Sequence, residues 1–297
     1  GGMIIRENAQ YFGLTKHFSI FDEDDAKSII RECMREFGID PKVLDPKRVK
    51  HIISSAKMAG DTPDTMTDKI ASQSESDAVR IWRNYEAKLH ASKGVDFDDL
   101  IVKAVRLLEK NLEVRTMYQN RFQYIHVDEY QDTNHAQYTL IHLLAEHHRN
   151  LFAIGDDYQS IYGWRQADIR NILNFEKDYP EAAIVTLDQN YRSTQTILDA
   201  AGSVIAKNPN QRHKKLWTSQ EGGDKITLFE AEDERHEAEY VVRTIQKIAS
   251  GNKNDSRDNK NRRFSDFAIL YRTNAQSRAL EEACLNHSIP YRIIGGL

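Results

Sequence analysis

The sequence predicts an α/β protein: a helical first third, then strands and helices in alternation that wind into parallel sheets. Three observations predict this. Apolar residues from position 3 to about 112 recur every three or four positions and never alternate. From Phe122 onward, short apolar runs of strand length are separated by helical periods, the pattern of βα units. The first two of those runs also end in acid, Val127-Asp-Glu129 and Ile154-Gly-Asp-Asp157. That places carboxylates at the C-terminal edge of a sheet, where open α/β sheets bind ligands.

In the first third, Ala26, Ile29, Ile30, Cys33 and Phe37 share one helical face, and Gly38 supplies a stop. Asp45-Pro46 reads as a cap followed by proline at the first helical position, leading into Val49, Ile52, Ile53 and Ala56. A polar link spans Gly60 to about Ser74. The next helix carries Val79, Trp82, Tyr85 and Leu89 and stops at Gly94, and Asp96-Phe-Asp-Asp99 opens another, its acids read as capping groups. No strand is expected in residues 1–112, and Gly1-Gly2-Met3 is set aside from fold reasoning.

The α/β part begins with a strand at 122–127, a helix at 135–147, a strand at 151–154, a helix at 168–175 and a strand at 183–187. A second run follows from Asp188. Ser193 caps a helix through Ile197, Leu198, Ala201, Val204 and Ile205; a strand at 225–229, a helix at 234–249, a strand at 267–271, a helix at 274–287 and a strand at Tyr291 complete it. Residues 250–263 hold no apolar side chain and read as a solvated loop.

Composition excludes little. A hydrophobic content of 40% with 29% charged residues is ordinary for a globular protein, and no apolar run has the length of a membrane span. Cys33 and Cys284 have no metal-ligand spacing and sit at apolar helical positions, which fits reduced core thiols and a cytoplasmic protein. A net charge of −4 neither advertises nor excludes nucleic acid, because a groove can be basic on an acidic protein.

Three stretches carry chemistry. In Val127-Asp-Glu-Tyr-Gln-Asp-Thr133, Asp128 can hold Mg²⁺ through its water shell while Glu129 polarises an attacking water. An isolated Asp-Glu pair would more often be a polar turn. Gly155-Asp-Asp-Tyr-Gln-Ser-Ile-Tyr-Gly-Trp-Arg165 offers Gln159, an uncharged group suited to sensing a phosphate oxygen or that water. It also offers Tyr162, Trp164 and Arg165, a platform on which unpaired bases can stack. The competing reading makes the two aromatics core residues. In Asp188-Gln-Asn-Tyr-Arg-Ser-Thr194, Arg192 can reach a γ-phosphate as an arginine finger does, or form an interdomain salt bridge; Tyr191 can stack on a purine or simply pack.

Together these stretches resemble motifs II, III and IV of superfamily 1 DNA helicases of the UvrD/Rep/PcrA group, nearest to its PcrA branch. Leu270-Tyr-Arg-Thr-Asn-Ala-Gln-Ser-Arg278 and Ile289-Pro-Tyr-Arg-Ile-Ile-Gly-Gly296 resemble the second motor domain of the same group. The resemblance implies partial RecA-like parallel sheets, the P-loop NTPase helicase core, behind a mainly helical subdomain. Residues 1–112 would be subdomain 1B, 113–187 the later part of motor domain 1A, and 188–297 the earlier part of 2A. It implies ATP and Mg²⁺ as cofactors, with Asp128 in the metal shell, Glu129 as the base, Gln159 coupling the γ-phosphate to DNA, Arg192 on the γ-phosphate and Tyr191 beside the adenine. Tyr162 and Trp164 would stack on single-stranded bases, with Arg165 beside them. The implied activity is 3′→5′ translocation and duplex unwinding, on single-stranded DNA and single-strand/duplex junctions. Gln166 stands where the group often has glycine, and the 250–263 loop is longer than expected.

None of the 14 glycines opens a Gly-x-x-x-x-Gly-Lys-Ser/Thr phosphate loop. The chain is therefore expected to be an internal piece of such a helicase, without ATPase activity of its own and with sheet edges open to self-association. Two other readings compete: a non-catalytic module that holds single-stranded DNA or a protein, and a Mg²⁺-dependent nuclease. Against the nuclease, Glu129 is followed by Tyr130 and Gln131 rather than by the acid-x-lysine such sites use.

Overall fold

A computed structural model describes residues 1–220, 222–251 and 262–294. Most of the polar 250–263 stretch and the Gly-Gly at 295–296 lie outside the described residues. Two compact units emerge, one of Gly1–Ser193 with Leu198–Gln220, the other of Thr194–Ile197 with the described part of 221–297.

The first unit opens with helix α1 (Gly2–Glu7), which takes in Gly2 and Met3 of the stretch set aside from fold reasoning and buries Ile4 and Ile5. Helices α2 (Glu23–Glu36), α3 (Pro46–Met58), α4 (Pro63–Thr67) and α5 (Gln73–Ala91) follow. Asp22 caps α2 through the N–H groups of Asp24 and Asp25, and Asp45 caps α3 ahead of its proline. The apolar faces of α2, α3 and α5 close one core around Ile30, Met34, Ile53, Ile81 and Trp82.

The expectation of no strand before 112 fails. Strands β1 (Ser19–Phe21) and β2 (Gly94–Asp96) pair in parallel, Ile20 opposite Val95. Three residues are too few to show a two-residue period, which is why the sequence hides them. After α5 it is Lys93, at φ 49°, that takes the left-handed turn, and Gly94 serves close approach instead. A Cβ there would fall 2.1 Å from the Phe21 ring.

Helices α6 (Asp99–Lys110) and α7 (Leu112–Arg121) lead into strand β3 (Ile125–Val127), helix α8 (His135–Ala145) and strand β4 (Leu151–Ala153). β3 and β4 pair in parallel, Ile125 opposite Leu151, as a βαβ unit requires. Leu108 and Tyr118 share a core with Leu140, Leu143 and Leu144 of α8, so packing runs continuously across position 112. The helix expected at 168–175 is two short ones, α9 (Arg170–Leu173) and α10 (Phe175–Asp178), broken at Asn174. Helix α11 (Gln195–Ile205) crosses the division between the units.

The second unit is built on α12 (Glu234–Ala249) and α13 (Ser277–Asn286), which close a core of Val242, Ile245, Cys284 and Ile289. Burial pushes the Cys33 thiol up to about 11 and raises that of Cys284, so both are inert core thiols.

The strands expected at 183–187, 225–229, 267–271 and 291 are not strands among the described residues. A strand exists by its ladder partner, and these segments have none there. Leu187 (82% exposed), Leu228 (96%) and Leu270 (95%) stand open on the segments where burial was expected. No described helix is long and apolar enough to cross a membrane.

Candidate functional site

The parallel pairing of β3 and β4 brings the acidic ends of both to one edge. Ile154 N–H donates to Val127 O at 2.8 Å, and Tyr130 N–H to Ile154 O at 2.9 Å, which carries the pairing past the strands. Beyond β3 the backbone turns sharply. Glu129 adopts φ 50°, ψ 45°, a left-handed conformation that costs a residue with a Cβ roughly 1–2 kcal/mol. The turn exposes Asp128 and Glu129 together, and Asp128 Oδ1 accepts the Glu129 N–H at 2.9 Å.

Gln131, which the sequence did not single out, organises this edge. It is buried, its Nε2 donates to Glu129 Oε2 at 2.7 Å, and its Oε1 accepts the Asp156 N–H at 3.0 Å. One amide thus joins the carboxylate after β3 to the loop after β4. Gly155 makes the approach possible: a Cβ there would lie 2.6 Å from Ile172 Cδ1 and 2.8 Å from Gln131 Oε1. Burial, then the Glu129 charge, pushes the Asp132 carboxyl up.

Gln159 donates to Asp156 Oδ2 at 2.7 Å, one link beyond Gln131. Burial works against the Asp156 charge, but hydrogen bonds from Lys214 and Gln159 hold its pKa below the usual carboxylate value. Lys214 bonds Asp157 Oδ1 at 2.8 Å as well, and its ammonium lies 4.2 Å from the centre of the Tyr158 ring. This lysine, 57 positions from Asp157, had no signal in the sequence.

The second part of the site is aromatic. Tyr162 and Trp164 are both exposed, Trp164 by 63%, so neither is a core residue. Their ring centres lie 6.1 Å apart, and the Arg165 guanidinium carbon sits 5.1 Å from the Tyr162 ring and 4.6 Å from that of Trp164. Trp164 and Arg165 line a cleft of about 600 Å³ together with Lys47, Lys50, His51 and Phe97, and with the carboxylates of Asp22, Glu23, Asp96 and Asp98. Phe97 is 56% exposed. It stands in the Asp96-Phe-Asp-Asp99 run that was read only for its acids, and an aromatic flanked by acids at a helix start was the signal that could have found it.

Those acids are not simple caps. Asp96 accepts the Asp99 N–H at 2.8 Å and, with Asp99 and Glu86, surrounds the buried Lys57 ammonium, which lies 3.1 Å from Asp96 and 2.9 Å from Asp99. Burial opposes the Lys57 charge, but Asp99, Asp96 and Glu86 outweigh it and raise its pKa.

Tyr191 and Arg192 stand apart. Both are exposed, the segment is held by Asn190 N–H donating to Trp217 O at 2.7 Å, and Asn190 Oδ1 accepts the Arg192 N–H at 2.9 Å. Among the described residues no hydrogen bond or ion pair joins either side chain to Asp128, Glu129 or Gln159. Nor do three or more His, Cys, Asp or Glu converge there as a metal cage. Asp128 suits an octahedral, water-rich ion such as Mg²⁺, which takes one or two carboxylates and keeps several waters.

The UvrD/REP helicase N-terminal domain family matches residues 1–180, and the UvrD-like helicase C-terminal domain family matches 185–297. The chain belongs to the UvrD/REP helicase family. Within it, the chain is 47% identical over 294 residues to the ATP-dependent DNA helicase PcrA of Staphylococcus epidermidis. It is 46% identical over 293 residues to the protein of that name in Staphylococcus aureus. Each alignment covers 99% of the chain and 39% of the relative, so the chain spans about two fifths of the length of these UvrD/REP helicases. Membership accounts for the α/β architecture with short parallel sheets.

Proposed function

We propose that this chain carries the water-activating carboxylates and the base-stacking platform of an ATP-dependent 3′→5′ DNA helicase, a motor that moves on single-stranded DNA and unwinds duplexes at single-strand junctions. The observation that carries this reading is the linkage Glu129–Gln131–Asp156–Gln159, which continues along the chain into the exposed pair Tyr162 and Trp164. A carboxylate poised for water and a surface for bases then belong to one connected edge.

In this reading Glu129 accepts a proton from the attacking water, and Gln131 fixes its carboxylate. Asp128 holds Mg²⁺ through water, and the ion supplies positive charge against the nucleotide phosphates when bound. Gln159, which donates to Asp156 Oδ2 at 2.7 Å, reports on the phosphate. Arg192 serves as an arginine finger and Tyr191 flanks the adenine, both on a segment separate from the carboxylates. Tyr162, Trp164 and Phe97 stack on bases, while Arg165 and Lys47 meet phosphates and the buried Lys50 stays paired with Asp98 at 2.6 Å.

Fluorescence anisotropy with labelled oligo(dT) tests the DNA half. Trp164→Ala and Phe97→Ala should each weaken binding by roughly 5- to 100-fold, the range expected for losing one stacked base. Affinity should also fall steeply with salt. Unchanged affinity in both variants would remove the stacking role. Because the 297 residues hold no Gly-x-x-x-x-Gly-Lys-Ser/Thr, the chain alone should hydrolyse ATP negligibly. DNA-stimulated hydrolysis at a motor's rate, abolished in Glu129→Gln, would contradict this.

A further inference from the structure

Gln166 ends the aromatic loop in a conformation that glutamine adopts only at a cost. Its φ is 66° and its ψ 20°, the left-handed region that glycine enters freely. Such a residue persists only where its surroundings hold it, and the side chain shows how. Nε2 of Gln166 donates to Ser55 Oγ at 3.1 Å, across 111 positions of sequence, with both residues half-buried. Ser55 lies on α3, the helix that also supplies Lys47, Lys50 and His51 to the wall of the cleft.

The rest of the loop is tied elsewhere. Arg165 and Gln166 donate their N–H groups back to Tyr162 O and Gly163 O, at 2.8 and 2.9 Å. Asp168 N–H donates to Thr133 O at 3.0 Å, and Asn171 Nδ2 bonds the same carbonyl at 3.0 Å. Those bonds anchor the loop to the carboxylate edge. Among the described residues the Gln166–Ser55 bond is the one hydrogen bond from residues 160–169 to residues 1–112.

We propose that Gln166 and Ser55 form a latch that sets the Tyr162–Trp164–Arg165 platform against α3, so that Trp164 and Phe97 face a single cleft. Gln166 is then a positioning residue for nucleic-acid bases, and the proposal rests on the stacking reading above. A glycine at 166 would relax the backbone but release the platform. Glutamine accepts a strained turn and holds the platform in register with α3.

Two measurements on the intact chain test this. Hydrogen exchange of the 163–168 amides reads the latch without DNA: Ser55→Ala, which suits a helix interior, should speed exchange there several-fold. Gln166→Gly should do the same, and the double variant should add little to the faster single one, as for partners in one interaction. Oligo(dT) anisotropy reads the consequence, with Ser55→Ala expected to weaken binding by roughly 2- to 10-fold, the worth of one neutral hydrogen bond. Unchanged exchange in Ser55→Ala overturns the latch. Faster exchange with undiminished affinity in Ser55→Ala, while Trp164→Ala binds weakly, overturns the positioning role and leaves stacking intact. If Trp164→Ala binds as tightly as the parent, stacking itself falls, and the exchange rates alone decide the latch.

Discussion

Glu129 and Gly155 are the residues at which the carboxylate edge is most sensitive to single-atom change. Glu129 spends backbone strain to turn its carboxylate outward, and Gln131 holds it there. Gly155 admits Gln131 only because it has no side chain. Gly155→Ala should therefore destabilise the first unit by about 1–3 kcal/mol, as overpacking does, and urea denaturation would register it as a lower midpoint with an unchanged slope. Unaltered stability would mean that Ile172 and Gln131 can both move aside. The sequence made Asp128, Glu129 and Gln159 legible because their residue types announce chemistry. Gln131 and Lys214 stayed hidden, since a glutamine beside an acid and a lysine in a polar tail acquire meaning only from what they touch.

At the scale of elements, α3, α5 and the β2–α6 turn are pinned by the Lys57 cluster rather than by apolar packing alone. Lys57→Met would leave the buried Asp96 and Asp99 and the half-buried Glu86 without the cation at their centre, at a cost of about 3–5 kcal/mol. The pH dependence gives a sharper test. In the parent chain burial opposes the Asp96 and Glu86 charges, yet Lys57, with Lys50 on Asp96 and Lys103 on Glu86, holds both below their ordinary 3.8 and 4.5. Their contribution is present above those values and lost as pH falls through the lower folded ones. Asp99, raised mainly by burial, works in the opposite direction. Lys57→Met removes the charge that most favours the ionised form of all three carboxylates, so between pH 7 and pH 5 the variant should gain more stability than the parent does. Denaturation curves at the two pH values check the sign. Helical periodicity located α3 and α5 but gave Lys57 no role, because period alone cannot show that three acids from α5, β2 and α6 converge on it.

For the whole molecule, the open question is its apolar surface. Phe152, Ile154 and Leu187 in the first unit, and Leu228 and Leu270 in the second, are exposed on or beside segments with strand-like sequence. Unpaired strand edges with apolar side chains favour association. Sedimentation velocity should show concentration-dependent self-association that weakens in Leu228→Lys and Leu270→Lys; a single monomeric boundary at every concentration would refute it. The segments at 183–187, 225–229 and 267–271 were legible as apolar runs, but a run becomes a strand only when a neighbour completes its hydrogen bonds.

The sequence by itself determined the α/β class, the order of most helices, and the motifs that place the chain among UvrD/REP helicases. Those depend on period, capping and residue type, which are local. Only the tertiary structure decided that β1 and β2 pair across the helical module, that Gln131 links Glu129 to the loop after β4, and that Gln166 ties the aromatic platform to α3. Each of these joins atoms through hydrogen bonds whose partners are set by the folded chain, and no spacing along the sequence encodes which groups will meet.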